Sequence, residues 1–199
     1  QTSIPQVPRM SPQPGTPHVG AATDDAGGSS ETDHKRRRLE PPTTTSDWPF
    51  TGDWKGVTWN CQALMSPDMG RQSRKRHCLV GILASAPDFV LLQELHSTPG
   101  TIYTWERPQG YVLFYDNGTA ATAGVGILVS RKFLHQFEMP LTDVFMSIVP
   151  GRVGALRLKG PQGSLDIFVT YLSTGDARSE RERQSSALAA AIRPRSAVL

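Results

Sequence analysis

The chain has 199 residues, of which 38% are hydrophobic, with 21 lysines and arginines against 18 aspartates and glutamates. This length allows one folded domain and a tail, and a net charge of +3 permits nucleic-acid binding without requiring it. No apolar segment approaches the roughly 18 residues of a membrane-spanning helix, so the sequence predicts no membrane partner.

Residues 1–52 have the composition of a disordered tail. Pro, Gly, Ser, Thr and Gln dominate this segment, and hydrophobic side chains do not recur in it with any helical or strand period. Too little apolar surface is available to offset about 1–2 kcal/mol of backbone entropy per residue. We therefore predict a disordered tail at 1–52 and a folded domain at 53–199.

A basic cluster, His34-Lys35-Arg36-Arg37-Arg38, lies within this tail. It has two interpretations, a solvated charge run or a nuclear import signal with some affinity for phosphate. The N-terminus shows no signal-peptide pattern, and two cysteines in a chain of this length favour a reducing compartment. We expect a nuclear protein, with the cytoplasm as the alternative and no secretion.

The first predicted elements of the domain are a strand, a helix and a second strand. Residues 54–59 form the first strand and lead into Asn60, residues 71–86 form the helix, and the buried strand 90–92 leads into Glu94. Because a crossover helix favours parallel strands, Asn60 and Glu94 should emerge at the same edge of a sheet. A carboxylate at that position is a suitable ligand for a hard cation such as Mg²⁺.

The first turns of the predicted helix carry four cations, Arg71, Arg74, Lys75 and Arg76. Cations at this end of a helix oppose its macrodipole by about 0.3–1 kcal/mol each. An acidic partner nearby would therefore help the helix, although a solvated face is the simpler interpretation.

Beyond Glu94 the pattern predicts a loop and then several strands without helices between them, which is typical of an antiparallel meander. Residues 97–109 are interpreted as a loop in which Tyr103 and Trp105 cover the core or, as the alternative, offer a stacking surface for a sugar or base. A helix at residues 176–192 closes the chain, with Ser173, Thr174 and Asp176 as acceptable N-caps. The strands are predicted at residues 111–115, 124–130, 144–149, 153–158 and 165–171.

Four sequence blocks resemble the N-terminal half of the endonuclease/exonuclease/phosphatase superfamily, which includes apurinic, DNase I-type and retrotransposon endonucleases. The blocks are Thr58-Trp59-Asn60, Leu91-Leu92-Gln93-Glu94, the run from Gly124 to Val129, and the run from Ile167 to Leu172. The resemblance covers residues 53–192. It implies an α/β (α+β) fold, the N-terminal part of a four-layered DNase I-like α/β sandwich.

The resemblance also implies an active site. Asn60 matches the superfamily's active-site Asn, which supports the metal site and orients the attacking group. Glu94 matches the carboxylate that ligates Mg²⁺ or Mn²⁺, and Tyr171 stands where many members place a Tyr near the scissile phosphate. A divalent cation would lower the pKa of an attacking water, while Asn60 and Tyr171 would stabilise charge on the phosphate.

Some superfamily features are absent from this sequence. Thr170 stands where an Asn is common, Leu172-Ser173 replaces an Ala-Pro or Val-Pro pair, and neither Gly-Asp-x-Asn nor Ser-Asp-His occurs. His135 matches no motif, and His96 is interpreted as a surface residue although it could be a ligand. We therefore expect a fragment without its general base, at a cost of about 10²–10⁴ in rate, and without part of its sheet packing.

The expected function is a divalent-metal-dependent phosphodiesterase, an endonuclease of the retroelement type with DNA as its partner. One alternative keeps the fold and changes the substrate to inositol phosphates or sphingolipid headgroups. The other alternative is a catalytically inactive binding module.

Overall fold

The structure is a computed structural model that describes residues 48–66, 68–119, 123–138, 144–193 and 196–198. The chain divides into two units, Gln1–Leu39 and Glu40–Leu199, and every described element belongs to the second unit. Most of the predicted tail, including its basic cluster, lies outside the described residues, so the predicted domain boundary stays a prediction. The described residues contain no helix that is long and apolar enough to cross a membrane.

The first described residues run alongside the second sheet, whose strands are given below. The Phe50 amide donates to the Ser164 carbonyl at 2.9 Å, and the Thr51 amide donates to the Gln162 carbonyl at 3.0 Å. The Phe50 ring lies 5.9 Å from that of Phe133 and packs against the core. These last residues of the predicted tail therefore contact the domain.

The first sheet has the strand order β1-β2-β4-β3. β1 and β2 are parallel, as predicted, because helix α1 returns the chain across the sheet between them, and the other pairs are antiparallel. Asn60 lies opposite Gln93, so β1 and β2 end together at what we call the carboxyl edge of this sheet. The elements are β1 (Gly56–Asn60), α1 (Met69–Leu83), β2 (Phe89–Gln93), β3 (Tyr111–Asp116) and β4 (Val125–Ser130).

The second sheet has the strand order β5-β6-β7-β8. Its first three strands form the predicted antiparallel meander, whereas β3 and β4 pair in the other sheet. β8 was not predicted, and it pairs parallel to β7. The strands are β5 (Phe145–Val149), β6 (Val153–Gly160), β7 (Gly163–Thr170) and β8 (Ser196–Val198).

The two sheets pack face to face, and helices cover their outer faces. Alternate residues of the strands fill the interface, with Leu91 and Ile127 from the first sheet and Leu156 and Ile167 from the second, all of them buried. Helix α1 and the short helix α2 (Pro99–Thr104) cover the first sheet, and α4 (Arg178–Ala191) lies against the second. This order of layers confirms the predicted four-layered α/β sandwich. The two sheets pack on each other within the described residues, and the expected loss of part of the sheet packing stays a prediction.

Three local predictions are corrected by the structure. Residues 97–109 are not all loop, because α2 begins after Thr98, whose hydroxyl accepts from the Thr101 amide while the Thr101 hydroxyl accepts from the Thr98 amide. Trp105 is buried as predicted, but Tyr103 is 88% exposed and does not cover the core. Helix α4 is not capped by a predicted side chain, since its N-cap is Ala177.

A further short helix, α3 (Arg131–Leu134), follows β4 at the edge opposite the carboxyl edge. It was not predicted, because four residues are too few to show a helical period. The Ser130 hydroxyl accepts from the Phe133 amide at 3.0 Å, which begins the helix. Phe133 and Leu134 then enter the core between the sheets.

The substitution Leu91→Ala should lower the free energy of unfolding by about 2–5 kcal/mol, because it opens a cavity between the two sheets. Val80→Ala on the exposed side of α1 is the control, and we expect it to change stability by less than about 0.5 kcal/mol. Urea denaturation measures both. Equal effects of the two substitutions would contradict the packing described here.

Candidate active site

Asn60 and Glu94 meet at the carboxyl edge of the first sheet. Asn60 is the last residue of β1 and Glu94 follows β2, so the parallel pairing brings them together. The Asn60 Nδ2 atom donates to Glu94 Oε1 at 2.7 Å, and Asn60 Oδ1 accepts from the Gln62 amide at 3.2 Å. The convergence predicted from the strand order is therefore present, and the second bond fixes which way the Asn60 amide points.

The backbone around Glu94 is held in an unusual conformation. The ladder between β1 and β2 continues past the strands, with Ala63 N donating to the Glu94 carbonyl at 2.7 Å and Met65 N donating to the Leu95 carbonyl at 3.0 Å. Glu94 has φ of 55° and His96 has φ of 51°, in the left-handed region that non-glycine residues rarely occupy. Such strain costs about 1–3 kcal/mol per residue and clusters at functional sites.

The second sheet contributes Tyr171 and Arg152 to the same place. Tyr171 follows β7, and its hydroxyl forms hydrogen bonds with the Glu94 carboxylate and with Arg152. Arg152 lies in the turn between β5 and β6, and its guanidinium carbon is 4.7 Å from the centroid of the Tyr171 ring. The Arg152 carbonyl accepts from the Tyr171 amide at 2.8 Å, which fixes the two residues side by side.

These contacts act on the charge of Glu94. Burial raises the pKa of its carboxyl, but hydrogen bonds from Asn60 and Tyr171 and the nearby charges of His96 and Arg152 outweigh burial, so the pKa lies below its ordinary value. Burial and the bond to Glu94 raise the pKa of Tyr171. At neutral pH the site therefore holds an ionised carboxylate beside a protonated phenol.

An open cleft of about 370 Å³ lies in front of Glu94. His96 belongs to its wall, with Nε2 at 3.7 Å from Glu94 Oε2 and only 15% of the side chain exposed, so its interpretation as a surface residue is wrong. The hydroxyl-bearing residues Ser173 and Thr174 line the side next to Tyr171. The complete lining is Glu94, His96, Ala123, Arg152, Tyr171, Ser173, Thr174 and Ala177.

The sequence did not identify Arg152 as a site residue. Its turn is held in place by backbone contacts that involve several glycines. Asp116 Oδ2 accepts from the Gly151 amide at 2.7 Å, and the Gly124 amide donates to the Gly151 carbonyl at 3.0 Å. A Cβ added at Gly124 would lie 3.2 Å from the Gly118 amide nitrogen, so the backbones approach too closely for a side chain. No local pattern reveals this, because an arginine in a turn is ordinarily solvated.

Two solved structures share this fold over most of the chain. TDP2 from D. rerio, complexed with a single strand DNA product, aligns at 16% identity and a TM-score of 0.50, covering 71% of this chain and 57% of that one. The AP endonuclease LMAP from Leishmania major aligns at 15% identity and a TM-score of 0.50, covering 72% and 49%. The chain has the α/β-sandwich fold of these two proteins.

The comparisons confirm the resemblance found in the sequence, and at these identities they show the fold alone. The chain spans 57% and 49% of the lengths of the two neighbours. No family model and no curated protein matches the chain. The roles of individual residues in this fold therefore stay predictions.

The side chains at the carboxyl edge suit a hard divalent cation. Glu94 offers a carboxylate, and Asn60 holds it through Nδ2 while its own amide oxygen is turned toward the Gln62 amide, so the expectation that Asn60 is itself a metal ligand does not fit this orientation. Among the described residues no three His, Cys, Asp or Glu side chains form a cluster, whereas a zinc site needs at least three protein ligands. Mg²⁺ binds through one or two carboxylates and takes its other ligands from water and phosphate, so the donors fit Mg²⁺ or Mn²⁺.

Tyr171→Phe should raise the pKa of Glu94, because the ionised carboxylate loses a hydrogen bond. The carboxyl carbon signal of Glu94, followed by NMR against pH in metal-free protein, measures this. Tyr103→Phe is the control, since that ring is exposed. An unchanged pKa of Glu94 in Tyr171→Phe would show that the bond does not form in solution.

The same substitution should alter stability at acid pH. A carboxyl whose folded pKa is lowered stabilises the fold above its unfolded pKa, and this contribution is lost as the pH falls through the folded pKa. The loss of stability between neutral and acid pH should therefore be smaller in Tyr171→Phe than in the native sequence. Urea denaturation at several pH values measures the difference.

Glu94→Gly should be more stable than Glu94→Ala by about 1 kcal/mol, because only glycine occupies a positive φ without strain. The control pair is Glu182→Gly and Glu182→Ala inside α4, where the order should reverse because glycine disfavours a helix. Thermal unfolding followed by circular dichroism ranks the four variants. The same order at both positions would contradict the left-handed backbone of Glu94.

Proposed function

We propose that this domain is a divalent-metal-dependent phosphodiesterase that cleaves DNA. The observation that carries the proposal is the carboxylate of Glu94, kept ionised by Asn60 and Tyr171 at the mouth of an open cleft. A rigid, ionised carboxylate with few competing ligands suits Mg²⁺, which a phosphodiester would approach through its own oxygens. The fold shared with TDP2 and an AP endonuclease supports DNA as the substrate class.

Each residue of the site has a task in this proposal. Glu94 ligates the cation, and Asn60 supports it by fixing the carboxylate through a hydrogen bond. Arg152 donates hydrogen bonds to the non-bridging phosphate oxygens, where negative charge increases in the transition state, and Tyr171 joins it when its hydroxyl proton turns from Glu94 to the phosphate. When bound, Mg²⁺ or Mn²⁺ would supply further positive charge there and acidify the attacking water.

Proton transfer needs a further group in this proposal. The superfamily motifs Gly-Asp-x-Asn and Ser-Asp-His, which carry this function in the resemblance, do not occur among the 199 residues. We therefore propose slow turnover, with the rate lowered by about 10²–10⁴ relative to a complete site. The retroelement type and a nuclear location are the finer parts of the proposal, and the basic cluster His34-Lys35-Arg36-Arg37-Arg38 supports them.

Glu94→Gln should weaken Mn²⁺ binding by at least about tenfold, because it removes the charged ligand and keeps the side-chain size. Electron paramagnetic resonance of free Mn²⁺ measures binding directly and does not depend on turnover. Glu138→Gln is the matched control, since Glu138 is exposed and lies outside the cleft. Native affinity in Glu94→Gln would refute Glu94 as the metal ligand.

Turnover assays with Mg²⁺ identify the substrate. Supercoiled, abasic and single-stranded DNA are compared with a phosphoinositide, using the native sequence, Glu94→Gln and Glu138→Gln. We expect slow DNA cleavage that Glu94→Gln abolishes and Glu138→Gln keeps. Phosphate release from the phosphoinositide alone would replace the proposal by the phosphatase alternative. Mn²⁺ binding without any turnover would replace it by the inactive binding module.

A further inference from the structure

Helix α1 has a charge arrangement that opposes helix stability. It contains four cations, all within Arg71 to Arg76, and its sequence MGRQSRKRHCLVGIL has no carboxylate. Positive charge in the first turns opposes the helix macrodipole by about 0.3–1 kcal/mol per residue. A helix selected only for stability would place acidic residues there and basic residues at its other end. This arrangement therefore favours a role for the cations outside the helix.

Three of the four cations form a stripe along one flank of α1. Arg71, Arg74 and Lys75 are spaced by three and four residues, so they lie on the same side of the helix, and we call them the basic stripe. The fourth cation, Arg76, lies on the other flank and pairs with Glu106 beyond α2. Like charges at these spacings destabilise a helix by about 0.2–0.5 kcal/mol per pair.

The carboxylate next to the stripe does not neutralise it. Asp68, the N-cap of α1, uses one carboxylate oxygen to accept from the Arg71 amide at 2.9 Å. That backbone bond lowers the pKa of Asp68 most, and the charges of Arg71 and Arg74 lower it further. One carboxylate therefore faces a stripe of three cations, and a net charge of about two remains exposed at this surface.

The topology places the start of the basic stripe at the same edge of the first sheet as Glu94. β1 ends at the carboxyl edge and α1 returns the chain across the sheet, so the first turns of α1 begin at that same edge. The connecting loop is bonded to the site through the Ala63 amide and the Glu94 carbonyl at 2.7 Å. The charges of Lys75 and Glu94 both act on the pKa of the Cys61 thiol, so both side chains lie near it.

We propose that the basic stripe binds the phosphate backbone of a nucleic-acid strand whose scissile phosphate lies at Glu94. This inference rests on the proposed function and extends it, because it identifies the substrate as a polynucleotide and not an isolated phosphate ester. A small headgroup held in the cleft ends there, whereas a strand continues over the edge of the sheet. Arginine and lysine side chains hold such a strand through its phosphates, whatever its base sequence.

Neutralising the stripe should weaken single-stranded DNA binding and its dependence on salt. The variant Arg71→Gln, Arg74→Gln, Lys75→Gln is compared with Arg131→Gln, Lys132→Gln, Lys159→Gln, which removes the same charge from exposed residues around α3, at the edge opposite the carboxyl edge. Fluorescence anisotropy with a labelled 20-nucleotide strand in EDTA gives Kd at several salt concentrations. Because the whole chain is used, any contribution of its N-terminal basic cluster is common to all variants.

We expect the negative slope of the logarithm of the association constant against log salt to become shallower by about 2 in the stripe variant. Each lost phosphate contact reduces its magnitude by about 0.7 on a single strand. The control variant should keep the native slope. An equal loss in both variants would overturn the inference, since binding would then depend on net charge alone. An unchanged slope in the stripe variant would also overturn it.

Two further measurements keep the outcome unambiguous. The stripe variant should melt at the native temperature or above it, since neutralisation relieves repulsion within α1, and circular dichroism checks this. The Mn²⁺ affinity of Glu94→Gln, measured by electron paramagnetic resonance, tests the metal site independently of the stripe. A stripe effect together with unimpaired Mn²⁺ binding by Glu94→Gln would refute the proposed function alone. A native salt slope in the stripe variant, together with impaired Mn²⁺ binding by Glu94→Gln, would refute this inference alone.

Discussion

The parallel pairing of β1 with β2 is the constraint on which the rest of the site depends. The pairing does not stop where the strands end, because Cys61, Ala63 and Met65 go on donating to the carbonyls of Gln93, Glu94 and Leu95. This extended ladder holds Glu94 in a left-handed backbone conformation that its side chain disfavours. The strained backbone turns the carboxylate toward Asn60 and away from the buried strand that precedes it. A looser connection would relax the strain and separate the two side chains.

The packing of the two sheets stabilises the fold enough to offset the strained backbone at Glu94. The buried faces of both sheets interdigitate, and removing their apolar side chains from water stabilises the fold by about 25 cal/mol for each Å². The second sheet also places Tyr171 and Arg152 beside Glu94, each at a point where a strand ends or turns. Asp116 in the first sheet bonds to the turn that carries Arg152, so the layers are joined at the site as well as through the core. The geometry of the site is therefore a consequence of how the two sheets pack.

The sequence was sufficient wherever a local rule determined the result. The meeting of Asn60 with Glu94 followed from a helix between two strands, and the amphipathic stripe predicted α1. α2 was missed although Thr98-Pro99 followed by Thr101 is a readable start of a helix. Arg152 could not be recognised, because its position depends on packing between the sheets. His96 was considered as a ligand but assigned to the surface, because no local pattern encodes its left-handed backbone. One wrong prediction therefore came from overlooking a local sequence pattern, and the others concern residues whose positions depend on tertiary contacts.

The distribution of positive charge distinguishes the substrate classes that this fold could accept. A site for a small phosphate ester would concentrate its cations inside the cleft, where desolvation strengthens each contact. Here the cleft contains Arg152, while Arg71, Arg74 and Lys75 lie outside it on the helical layer at the far side of the first sheet. The crossover connection fixes this arrangement, since any helix that follows β1 must begin at the carboxyl edge. Cations in two layers on either side of one carboxylate match a ligand whose phosphates repeat along a strand, and this sequence carries them although they weaken the helix that holds them.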